Sequence, residues 1–85
     1  MALKEDIKAK IAEQAGQLFV DIADCEEDGN TLSFPVLIND ATHTSKDIED
    51  FVESLISDED DYAVIDNETL PDGHSSWLIK FYLEN

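Results

Sequence analysis

The stretch Trp77-Leu78-Ile79-Lys80-Phe81-Tyr82-Leu83 decides the fold. In an extended chain successive side chains point to opposite faces, so Trp77, Ile79, Phe81 and Leu83 share one face. Leu78, Lys80 and Tyr82 share the other, which is itself partly apolar, and this places the strand centrally in a sheet. Upstream, Asn67 to His74 contains Pro71 and Asp72-Gly73 and reads as a loop. Tyr62 to Ile65 is a short apolar run suited to a second strand.

Further back the period changes. Ile48, Phe51, Val52, Leu55 and Ile56 recur at three- and four-residue spacing, the pattern of an amphipathic helix. Thr44 is its N-cap, and Asp47 three residues on favours the helix dipole. Leu32, Phe34, Val36 and Ile38 alternate with Thr31, Ser33 and Pro35, a half-buried strand in which Pro35 signals an exposed edge or a bulge. Glu26-Glu27-Asp28-Gly29-Asn30 reads as the turn before it.

Leu3, Ile7, Ile11, Ala15 and Leu18 predict an N-terminal amphipathic helix. Ile22 continues that stripe, which would allow one helix to residue 24. Gly16 disfavours a helix interior, and Leu18, Val20 and Ile22 alternate with Phe19, Asp21 and Ala23, which favours a helix over 3–16 and a strand over 17–24. The expected fold is therefore α+β, in the order α-β-β-α-β-β. One antiparallel sheet carries two helices on one face, and residues 1–85 form a single domain.

Charge is the strongest functional signal. Residues 1–20 are neutral, whereas residues 21–85 hold eighteen acids against Lys46 and Lys80, and the chain carries a net −16 with no arginine. Solubility alone asks for a net charge of only about 2–8. Such a chain is a poor direct partner for nucleic acid or an anionic membrane and a good one for a basic protein surface. A single cysteine, no basic-then-apolar leader and no apolar run near ~20 residues point to a reducing, cytoplasmic setting.

Chemistry-bearing motifs are few. Asp24 to Gly29 has the acids and glycine that open a calcium loop, but its twelfth position is Pro35, where a bidentate glutamate is needed. Asp58-Glu59-Asp60-Asp61 lacks the glycine and the distal glutamate, and Cys25, His43 and His74 lack zinc-ligand spacing, so no metal or cofactor is expected. Nucleophile elbows, phosphate loops and metalloprotease motifs are missing, and a non-enzymatic protein is expected.

The second helix instead presents Asp47, Glu49, Asp50 and Glu53, with Lys46 as its sole cation. Its like-charge pairs at i+3 and i+4 cost about 0.2–0.5 kcal/mol each, and their ~5–6 Å spacing imitates a row of phosphates. The expected partner-binding residues are Asp47, Glu49, Asp50, Glu53, Asp58, Glu59, Asp60 and Asp61, with Glu26, Glu27 and Asp28 as a second patch.

In size and charge alone the chain resembles two functional groupings. One is the phage-type nucleic-acid mimics that block restriction or CRISPR nucleases, and the other is the immunity proteins that neutralise nuclease toxins. The resemblance carries no residue across. The leading expectation is an inhibitor that docks its acids on the basic groove of a nucleic-acid-binding protein. The alternative is an acidic adaptor that binds through an apolar strand edge or the N-terminal helix, with the acids only solubilising.

Overall fold

The alternation around Phe34 and around Ile79 becomes two paired central strands. The structure is a computed structural model that describes residues 4–56 and 60–83. Its elements are α1 (Lys4–Glu13), β1 (Asp21–Ile22), β2 (Glu26–Asp28), β3 (Thr31–Asn39), α2 (Ser45–Glu53), β4 (Asp61–Thr69) and β5 (His74–Tyr82). The strands form one antiparallel sheet in the order β1-β3-β5-β4, with β2 also paired to β3. The last strand is central, as its two apolar faces require, lying between β3 and β4.

Leu32, Phe34, Val36 and Ile38 of β3 are buried together with Ile79 and Phe81 of β5. Ile7 and Ile11 of α1 and Ile48 and Val52 of α2 belong to the same core, so each helix buries one stripe in it. Leu37, Leu78 and Ile65, which point to the other face of the sheet, lie outside that core. Two lysines tie α1 to the first hairpin: Lys4 donates to the Gly29 carbonyl at 2.6 Å, and Lys8 pairs with Glu27.

Residues 17–24 depart from the expected strand. Gly16 adopts φ +83°, a left-handed conformation that stops the helix and turns the chain back, with Phe19 N–H donating to the Gln14 carbonyl at 3.1 Å. Leu18 and Phe19 are then both buried, which a strand in a sheet with one open face does not do for neighbours. Only Asp21–Ile22 remains strand, and a second short piece, Glu26–Asp28, forms where a turn was expected. The observed order is therefore α-β-β-β-α-β-β. The turn shrinks to Gly29-Asn30, joining the paired residues Asp28 and Thr31, and only Gly29 has positive φ, at 62°.

Pro35 explains why the first edge is broken. Its carbonyl accepts from Ala23 N–H at 2.9 Å, so its missing N–H faces the same gap between β1 and β2. Neither an exposed edge nor a bulge is found at Pro35: β3 is interior and pairs with β5 through Pro35 and Leu78 in continuous register.

Candidate partner-binding surface

The carboxylates of α2 do not stand free in a uniform row. Thr44 N–H donates to Asp47 Oδ2 at 2.9 Å, the carboxylate half of a capping box, and His43 Nδ1 lies 3.5 Å from the same oxygen. Asp47 thus closes the helix start. Asp50 pairs with Lys46 at 3.5 Å, a well-exposed contact of small energetic weight. Glu49 is exposed on the same helix.

Glu53 has a more specific task, accepting a hydrogen bond from the Tyr62 hydroxyl at 2.7 Å. That contact joins α2 to β4. The Tyr62 hydroxyl is pushed up to about 12, first by the hydrogen bond to Glu53, then by burial, then by the charges of Glu53, Glu49 and Asp50. Glu49 and Asp50 lie four and three residues before Glu53 on α2, neighbours on the helix surface of the carboxylate that meets Tyr62. Asp61 is exposed next to Tyr62 and points to the other face of the sheet opposite Tyr82, which carries the negative charge around the strand edge.

The remaining candidates separate from this patch. Asp60 is buried at 6% exposure and is no surface contact, contrary to the expectation from its run of acids. Asp58 and Glu59 lie outside the described residues. Glu26, Glu27 and Asp28 form β2 at the opposite edge, three strand steps or about 14 Å from β4. Glu27 is held by Lys8, which draws its carboxyl below the usual range while the lysine is raised. Glu26 and Asp28 face away from the core beside Ser33 and Thr31. The exposed, described candidates thus fall on two edges, those of α2 and Asp61 at one and those of β2 at the other.

Among the described residues, no group of three or more His, Cys, Asp and Glu side chains is arranged to hold a metal. His74 Nδ1 lies 3.2 Å from Asp72. Burial, opposed by the charge of Lys8, pushes the Cys25 thiol up, away from thiolate chemistry. Cys25 lines a groove of about 360 Å³ between α1 and the broken edge, together with Lys8, Ile11, Ile22 and Phe34. No helix among the described residues is long and apolar enough to cross a membrane.

The Tyr62–Glu53 pair has a direct readout. A folded pKa near 12 exceeds the unfolded value of about 10, so the contact's stabilisation is full below pH ~10 and is lost as pH rises through ~12. With Tyr82→Phe as background, phenolate absorbance should report Tyr62 alone. Adding Glu53→Gln removes the charge and should lower that titration. An identical titration with and without the carboxylate would show that Glu53 does not hold the phenol.

No protein-family model, curated protein or solved structure matches this chain.

Proposed function

We propose that this protein is a non-enzymatic acidic binding protein that inhibits a nucleic-acid-handling partner by docking its α2–β4 surface in the partner's basic groove. The observation that carries this reading is the row of exposed carboxylates Glu49, Asp50 and Glu53 on α2, which the Tyr62 hydroxyl ties to β4 through Glu53, with exposed Asp61 on the other face of that strand. An isolated helix with such like-charge neighbours gains nothing in stability from them. A groove that binds phosphates supplies the lysines and arginines that this surface lacks. The net −16 steers the encounter, raising association about 10- to 1,000-fold at low salt.

Partners captured on the immobilised protein at about 50 mM salt should release near 500 mM, because screening shortens the reach of surface charge. The same partners should release at low salt when duplex DNA or RNA is added, since both ligands occupy one groove. Partners that stay bound at high salt and ignore nucleic acid would overturn the reading.

A further inference from the structure

The sheet has one long open edge, and its backbone groups can be assigned. Pro35 and Leu37 carbonyls accept from Ala23 and Val20, so odd-numbered residues of β3 direct their backbone groups to the first edge. Even-numbered residues of β3 therefore bond to β5 through Ser75, Trp77, Ile79 and Phe81. This leaves Leu78, Lys80 and Tyr82 to bond β4 through Ile65, Ala63 and Asp61. Tyr62, Val64 and Asp66 consequently turn N–H and C=O outward, and among the described residues no strand pairs with them. The opposite edge is interrupted between β1 and β2 and offers no comparable run.

Proteins normally blunt such an edge with lysine, proline, bulges or covering elements. Here β4 has neither lysine nor proline, and its bulge comes only between Asp66 and Glu68. Its guards are Asp61, Asp66 and Glu68, all of one sign. Guards of one sign select rather than block. They repel a second copy of this chain, which brings its own −16, and attract a basic strand.

The two sides of the edge ask for different side chains. On one side stand Tyr62 and the carboxylates of α2, and on the other Ala63, Leu78 and Ile65, the last 42% exposed. We infer that the outer edge of β4 takes up an extended segment of the partner as an added strand, with basic residues alternating with apolar ones. The basic side chains meet Glu49, Asp50 and Glu53, the apolar ones meet Ile65, and the main chain pairs with Tyr62, Val64 and Asp66. The inference rests on the acidic-docking reading and gives it a geometry.

The probe is a capped peptide of alternating lysine and valine, about six residues long to match the ~17 Å from Asp61 to Asp66. Its control has the same side chains and charge but N-methylated amides on one edge, so it cannot pair. The unmodified peptide should slow hydrogen exchange at the Tyr62, Val64 and Asp66 amides about tenfold or more, and the control should bind at least about tenfold more weakly. Val64→Pro removes one outward N–H at an edge position and should reduce binding of the unmodified peptide to the level of the control. Equal binding of both peptides without protection would overturn strand addition while leaving the acidic docking surface intact. Binding of neither would also overturn it, and the capture experiment would still judge the broader reading on its own.

Discussion

Phe81→Ala is expected to cost about 3–5 kcal/mol, the usual loss when a buried phenylalanine leaves a cavity. Phe81 is fully buried, and its ring meets Phe34 edge-to-face with centroids 5.7 Å apart, so the neighbours cannot collapse into the space without losing that contact. At about 0.05–0.15 kcal/mol per residue, an 85-residue domain has roughly 4–13 kcal/mol to lose. The variant should therefore lose a large fraction of its stability, with a much lower urea midpoint. Ile65→Ala, at a half-exposed position on the opposite face, should cost about 1 kcal/mol or less. Equal losses at the two positions would mean that the buried and open faces of the sheet have been assigned wrongly.

Much of this fold was legible because its main elements have clean periods. The alternation of Leu32, Phe34, Val36 and Ile38 and that of Ile79 and Phe81 describe real strands, and the Ile48–Val52 spacing describes a real helix. What misled was the short segment after α1. Leu18, Val20 and Ile22 alternate like a strand, yet the chain buries Leu18 and Phe19 together behind the left-handed Gly16 and leaves Val20 exposed. Tertiary packing overrode a local pattern only a few residues long. The strand at Tyr62–Ile65 extends through Thr69 although Asp66, Asn67 and Glu68 are poor strand formers. Pairing to β5 holds those residues, with Leu70 N–H bonded to the His74 carbonyl at 2.8 Å and Gly73 at φ +88° in the connecting turn.

The candidate surface was legible in its charge and not in its arrangement. Composition and the acids of α2 gave the sign of the surface. Nothing in the sequence shows that Glu53 meets Tyr62, nine residues away and on another element, or that Asp60 is buried while Asp61 is exposed. A run of acids looks uniformly solvated until the strand that follows fixes which side chains point inward. The separation of Glu26–Asp28 from β4 by the full width of the sheet is likewise a property of strand order, which local sequence does not encode.

Replacing Glu49, Asp50, Glu53 and Asp61 by their amides should disarm the surface while sparing the fold. Gln at position 53 keeps a carbonyl oxygen for the Tyr62 hydroxyl, and the exposed Lys46–Asp50 pair is worth about 0–1 kcal/mol. Relief of the Glu49–Glu53 and Asp50–Glu53 repulsions returns about 0.2–0.5 kcal/mol each. Asp47, which holds the Thr44 N–H, and the buried Asp60 stay unchanged. Stopped-flow association with a captured partner, run from about 50 to 500 mM salt, is the most direct test that these carboxylates do the docking. The amide variant should associate at least about tenfold more slowly at low salt, with a much shallower salt dependence. Unchanged rates across the whole salt range would contradict an acidic docking surface at α2 and β4.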